Sequence, residues 1–227
     1  MRPYKLMSIL MMITALFMNS QLLHAEDQSD QTALADNHYS QGMASLSSGS
    51  YWVAMDYFDQ ALQIDRKYRP KDAGFDLIQM GGCYQHLNMY KGAEASFIEG
   101  GELLRSALGE AHSDYISAQM RLASLYYEKT VALAADSPTD AMKELSKAQK
   151  IISRNMSVAK MVDANGYDYG LTLFCQGKFH LIEGEYEQAI SSAKKASKIF
   201  DNLGAEAKDL YESSLRQIEQ AGMMMAR

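Results

Sequence analysis

The chain has 227 residues, 47% of them hydrophobic and 22% charged, with three prolines and a formal net charge of −6. An acidic chain without a basic block lacks the phosphate-neutralising charge that supplies most nucleic-acid affinity, which excludes nucleic acid as an expected partner. Abundant helix formers and few β-branched residues after residue 65 predict an all-α protein.

Arg2 and Lys5 open the chain, Leu6 to Met18 is nearly all apolar, and Leu23-His24-Ala25 precedes Glu26-Asp27. These are the three parts of a secretory signal peptide over residues 1–25, with Ala25 the last residue removed. The apolar run is shorter than the about 20 residues that a spanning helix needs, which weighs against an uncleaved membrane anchor. Removal of residues 1–25 leaves 20 basic against 28 acidic residues, a net charge of −8, and no basic cluster for anionic lipid. The expected location is secreted or periplasmic. Contact with a membrane is expected only indirectly or through an uncut signal. Residues 26–31, Glu-Asp-Gln-Ser-Asp-Gln, are expected to be disordered.

Apolar periodicity then predicts helices in pairs: 32–47 with 51–65, 72–87 with 90–107, 112–130 with 138–156, and 162–182 with 186–201. A last helix over 204–222 carries Leu210, Leu215 and Ile218 on one face and would cover the open end of an array. Residues 223–227 are expected to fray.

The pairs repeat in sequence. Gly184-Glu185-Tyr186-Glu187-Gln188-Ala189 matches Gly49-Ser50-Tyr51-Trp52-Val53-Ala54 and Asn88-Met89-Tyr90-Lys91-Gly92-Ala93. Ala54, Phe58, Ala61 recurs as Ala93, Phe97, Gly100, as Ala141, Leu145, Ala148, and as Ala189, Ala193, Ala196. Steps of four and three residues keep each trio on one helix face. Gly42, Gly81 and Gly177 each stand 12 residues before the alanine, whereas Ala123 stands 18 before Ala141, with six extra residues around Asp136-Ser137-Pro138. The small residue of each first helix is expected to face the small residue of the second. The backbones can then approach, and a leucine at Ala189 would overpack.

Met80-Gly81…Tyr84…Ala93…Phe97, Gly42…Ala54…Phe58…Ala61 and Gly177…Ala189…Ala196 resemble the tetratricopeptide repeat, whose Leu-Gly, Tyr, Ala, Phe and Pro recur over about 34 residues. Arg66 and Arg105 stand where that family often has proline, and the alanine-to-alanine spacings of 39, 48 and 48 exceed its period. The stretch LGEAHSDYISAQMRLASLYYE, Leu108 to Glu128, is similar to the longer-helix repeats of kinesin light chain relatives. The resemblance covers residues 32–203. It implies an α-α superhelix, a solenoid of about four helix hairpins, with 204–222 as its C-terminal capping helix.

Little in the chain points to chemistry. No two of His38, His86, His112 and His180 share a helix face at i, i+4, so a metal site would need ligands from separate hairpins. DANGYDYG, Asp163 to Gly170, places Asp163 and Asn165 as a calcium loop would, but Tyr167 holds the next ligand position and Phe174 stands where a bidentate glutamate belongs. A helix-to-helix turn is expected there. Gly81-Gly82 lacks a following Gly-Lys-Ser/Thr, and no Gly-x-Ser-x-Gly elbow occurs. Cys83 and Cys175 fall on non-neighbouring hairpins, too far apart to bond, and are expected as two buried thiols. Asn155-Met156-Ser157 matches a glycosylation acceptor, relevant only in a eukaryotic secretory route. No catalytic residue, metal ligand or cofactor is assigned, and the chain is not expected to be an enzyme.

In such a stack the first helix of each pair lines the concave side. Tyr39, Ile78, Met120 and Phe174 stand three residues before the small contact residues, Leu46, Gln85, Tyr127 and Leu181 four after, and Met43, Gly82, Ser124 and Lys178 one after. This mostly apolar and aromatic ladder supplies the candidate partner-binding residues: Tyr39, Met43, Leu46, Ile78, Gln85, Met120, Tyr127, Phe174, Lys178 and Leu181. The alternative is that some of them are interior, covered by a neighbouring hairpin or by the last helix. Family members that grip a C-terminal carboxylate use a Lys, Arg and Asn cluster on these rungs. Only Lys178 matches, so that clamp is not expected. The expected function is an extracytoplasmic scaffold that holds a peptide or helix of another protein in an apolar groove. The alternative is a ligand-sensing or regulatory module acting on a membrane-protein partner.

Overall fold

The computed structural model describes residues 28–226. The expected signal peptide, residues 26 and 27, and residue 227 lie outside the described residues. Within them the chain is helices and turns, with no strand. The helices are α1 (28–47), α2 (Tyr51–Tyr68), α3 (Pro70–His86), α4 (Tyr90–Leu108), α5 (Ser113–Leu133), α6 (Pro138–Val162), α7 (Tyr167–Glu183), α8 (Tyr186–Leu203) and α9 (Lys208–Met225), with a single 3₁₀ turn, Gly204–Ala207, before the last. None of them is long and apolar enough to cross a membrane.

From α2 onward, successive helices pack on each other, and α3 also touches α5, α5 touches α7, and α7 touches α9. The odd-numbered helices therefore form one layer and the even-numbered helices the other. The chain is a solenoid of four helix hairpins, and α9 covers the last of them. The stack buries Phe58, Phe97, Leu145 and Phe200 completely or nearly so, each between two helices of a hairpin or between neighbouring hairpins.

Three of the four hairpin turns have one backbone design. Gly49, Asn88 and Gly184 take φ of 76°, 57° and 76°. The next residues, Ser50, Met89 and Glu185, have nearly identical angles, with ψ of 63°, 61° and 63°. Tyr51, Tyr90 and Tyr186 then open the second helix. A left-handed residue reverses the chain in the fewest steps, and glycine or asparagine accepts it most cheaply. Gly184→Ala should lower stability by about 1 kcal/mol, whereas Asn88→Gly should be neutral or slightly stabilising, both read as urea midpoints.

The small residues do bring helices together, but not as expected. A Cβ at Gly42 would stand 2.6 Å from the Phe58 ring, and one at Gly81 would stand 2.6 Å from the Phe97 ring. Each glycine thus seats the aromatic residue one turn beyond the alanine, not the alanine itself. Backbone meets backbone at Gly74 and Gly100, where an added Cβ on Gly100 would lie 2.8 Å from the Gly74 carbonyl oxygen. In the last hairpin the aromatic position is Ala193, and the space over Gly177 is filled by Gln217 from α9.

Some boundaries also differ. Residues 28–31 are helical, where disorder was expected, and α9 continues through Met225. Helix α6 runs six residues past the expected 156, and α7 starts at Tyr167 instead of 162. Packing explains the extension: Ala159 is buried, and the Asn155 side chain, 2% exposed, donates to the Ile116 carbonyl of α5 at 3.2 Å. That burial also closes the glycosylation acceptor in the folded chain. Helix α6 stops where Asp163 Oδ1 accepts the Asn165 N–H at 2.9 Å, an Asx turn that competes with helix. Cys83 and Cys175 are free thiols, the first buried and the second half-buried. Burial pushes both up to about 11.

An ion network ties the second hairpin to the third. Lys129 of α5 lies 2.7 Å from Glu94 of α4 and 2.9 Å from Glu144 of α6, while the Tyr126 hydroxyl donates to Glu94 at 2.9 Å. Burial raises the Glu94 carboxyl, but the bonds from Lys129 and Tyr126 outweigh it and hold Glu94 below the usual range.

Candidate functional site

The ladder divides by position. Ile78, Met120, Phe174 and Leu181 are less than a tenth exposed and belong to the hydrophobic core. Tyr39, Met43, Leu46, Gln85, Tyr127 and Lys178 are half-buried. Helix geometry accounts for the split. Residues three before and four after a contact residue lie only about 60° and about 40° around the axis from it, so a neighbouring hairpin can cover them. A residue one further along lies about 100° away. All four such rungs, Met43, Gly82, Ser124 and Lys178, reach the surface in part.

At the C-terminal end of the odd layer, Tyr127, Phe174, Lys178 and Leu181 come together around a cavity of about 210 Å³. The Lys178 ammonium stands 4.9 Å from the centre of the Phe174 ring and 5.8 Å from that of Tyr127. Tyr127 in turn meets Phe179 edge-on at 5.4 Å. The opposite wall comes from α9, through Ser213, Arg216, Gln217 and Gln220. Gln217 is 5% exposed and neither end of its amide has a hydrogen-bond partner among the described residues. This end is cationic and polar around an aromatic floor, where a mostly apolar and aromatic groove was expected.

The N-terminal end has the opposite charge. Asp36 and Tyr39 of α1, Asp65 of α2, Arg69 of the linking turn, and Asp72, Phe75 and Asp76 of α3 line a cavity of about 310 Å³. Tyr39 leans on Phe58 at 5.6 Å and accepts a hydrogen bond from Gln79 at 3.2 Å, which fixes its ring at the rim. Burial drives the Asp65 carboxyl above its usual range despite its bond to Arg69. Burial and the neighbouring Asp65 and Asp72 push Asp76 up to about 8. Between the two ends, Gln85 donates to Glu128 at 2.6 Å and bridges α3 to α5.

None of the charged residues at the N-terminal end was found by stepping from the small contact residues. One signal was available: Arg69, Asp72 and Asp76 recur at i, i+3 and i+7, one helix face. The contribution of α9 had no such signal, because a capping helix was expected to cover the array and not to line it.

His180, Glu183 and Glu185 gather across the α7–α8 turn, with His180 Nδ1 2.7 Å from Glu185 and 3.8 Å from Glu183. A local turn, not separate hairpins, assembles this group, and its carboxylates are partly solvated. A larger cavity, about 560 Å³, lies where the α3–α4 turn meets the end of α5, lined by Met89, Tyr90, Lys91, Lys129 and Leu133, and contains no ladder residue.

No protein-family model matches the sequence, and no curated protein matches it. Among solved structures the chain is similar to BtubC (BKLC) from P. vanneervenii, with a TM-score of 0.62 at 12% identity over 92% of this chain and 86% of that one. It is also similar to TTC0263, a thermophilic TPR protein of Thermus thermophilus, with a TM-score of 0.54 at 18% identity over 85% of this chain and 96% of that one. By its own packing and by these likenesses, the chain has the fold of the tetratricopeptide-type helical solenoids.

Proposed function

We propose that this protein is an extracytoplasmic interaction scaffold, a binder without chemistry of its own, that holds a peptide or helix of another protein along the odd-helix face. The observation that carries this reading is the cavity at the α5–α7–α9 junction. Aromatic rings, a cation held over them and the unpaired Gln217 amide converge there on space that a polypeptide can fill. Solenoids present such a face over several repeats, so one extended ligand can touch many rungs at once. Residues 1–25 support the extracytoplasmic placement. Cleavage after Ala25 would appear directly in the intact mass of the exported chain.

The test is site-specific photocrosslinking in the native host, with p-benzoylphenylalanine at Tyr39, Tyr127 or Lys178 and, as outer-face controls, at Trp52 or Met142, both more than half exposed on even helices. Adducts to one protein at the first three positions and not at the last two are expected. Tyr127→Ala with Lys178→Glu should abolish its capture while leaving the melting temperature within a few degrees. Adducts at Trp52 or Met142 alone would overturn the assignment of the face.

A further inference from the structure

The cavity at the junction of the first and second hairpins holds four carboxyl groups against one internal cation. Arg69 engages three of them. Its Nε lies 2.7 Å from Asp65 and 3.2 Å from Asp72, and its Nη1 lies 2.7 Å from Asp36. Nη2 donates to the Thr32 carbonyl at 3.3 Å. The fourth carboxyl, Asp76, is 1% exposed, and no donor among the described residues reaches either of its oxygens. Its polar neighbour is another carboxyl, Asp65, to which it can bond only while it holds a proton. A buried carboxylate needs a positive partner, and the cavity that Asp76 lines is walled also by Tyr39 and Phe75. Lys71 shows the approach from outside, 3.6 Å from Asp72 and 5.9 Å from the centre of the Phe75 ring.

We propose that this cavity binds an organic monocation, a primary ammonium or guanidinium group, with Asp76 and Asp72 accepting its N–H bonds and Tyr39 and Phe75 flanking it. The donor set selects this class. A divalent metal needs several oxygens converging at about 2.0–2.6 Å, and three of the four carboxyl groups here already turn toward Arg69. An ammonium needs one or two carboxylates and an aromatic face. The cation's source is either a side chain of a bound polypeptide, which rests on the scaffold reading, or a free amine, which does not. On binding, the Asp76 carboxyl gives its proton to solvent and the carboxylate pairs with the ammonium, so affinity rises with pH toward 8. The other charged and titratable groups of this cavity are Asp36 and Tyr39 on α1, Asp65 on α2, Arg69 in the turn and Asp72 on α3, with Lys71 beside Asp72.

Titration calorimetry on the full chain tests this with three probes: pentylamine, acetyl-Ala-Lys-Ala-amide, and the same peptide acetylated on the lysine Nε. Pentylamine and the lysine peptide should bind, and the acetylated peptide should bind at least about tenfold more weakly. Heats in buffers of different ionisation enthalpy should show proton release. Asp76→Asn should weaken binding by about tenfold or more without loss of fold, and Asp72→Asn, at a more exposed position, should weaken it less. A lysine peptide much tighter than pentylamine supports a polypeptide source, and equal affinities support a free amine. Equal binding of the acetylated peptide, unchanged affinity in Asp76→Asn, or no binding of either amine would overturn the proposal. The crosslinking outcome at Tyr127 and Lys178 is independent of all three.

Discussion

Gly81→Ala should destabilise the protein by about 1–3 kcal/mol, although alanine is the better helix former. Gly81 sits within α3, where the intrinsic gain from alanine is about 1 kcal/mol. Against this, the new Cβ would lie 2.6 Å from both Cδ1 and Cε1 of Phe97. Phe97 is wholly buried among Ala93, Leu104 and Leu125, so its ring cannot withdraw without opening the second hairpin. Gly42→Ala should behave alike, because the Phe58 ring stands equally close and is equally buried. Gly222→Ala is the control: it is helical, nothing lies within 4 Å of the added carbon, and it should be neutral or slightly stabilising. Adding Phe97→Leu to Gly81→Ala should recover part of the loss, since the two changes share one contact. Urea midpoints at constant slope measure all of these. A Gly81→Ala variant as stable as Gly222→Ala would mean that the glycine–ring contact does not hold the hairpin together.

That contact also marks how far the sequence could be read. Local spacing found the hairpins, because a four-and-three recurrence of small and aromatic residues has one geometric meaning on a helix. It found the turns too, since Gly49, Asn88 and Gly184 are the residues that accept left-handed angles. It mistook what each glycine faces, because identity at i says nothing about which residue of the partner helix lies opposite. The same gap hid what the ladder residues meet at both ends of the candidate face. Asp36, Asp65 and Asp76 belong to three helices and meet only when the first hairpin docks on the second. Gln217 reaches Gly177 only because Ala193 leaves the room that Phe58 and Phe97 fill in earlier repeats. Periodicity within a helix reports burial; it does not report which buried charges share a cavity.

Asp76→Asn should stabilise the protein, and more at pH 8 than at pH 5. The Asp76 carboxyl ionises near 3.8 when exposed and is pushed up to about 8 in the fold, first by burial and then by Asp65 and Asp72. Below about pH 4 the folded and unfolded chains both hold the proton, and the residue costs nothing through its charge. Between those values the unfolded chain has released a proton that the folded chain retains, so stability falls as pH rises, by at most about 1.4 kcal/mol per pH unit, and levels off above about 8. The pair titrates together with Asp65, so the full loss is on the order of a few kcal/mol. Asparagine keeps the shape, carries no charge and removes the repulsion from Asp65 and Asp72. Thermal melts from pH 5 to 9 should therefore show two curves already separated at pH 5 that diverge further toward pH 8. Parallel curves would mean that Asp76 is ionised in the fold throughout. A cation that fills the cavity removes the same charge cost from the folded state alone. With saturating pentylamine, the wild-type melting curve should flatten toward that of the variant, and the variant should respond little.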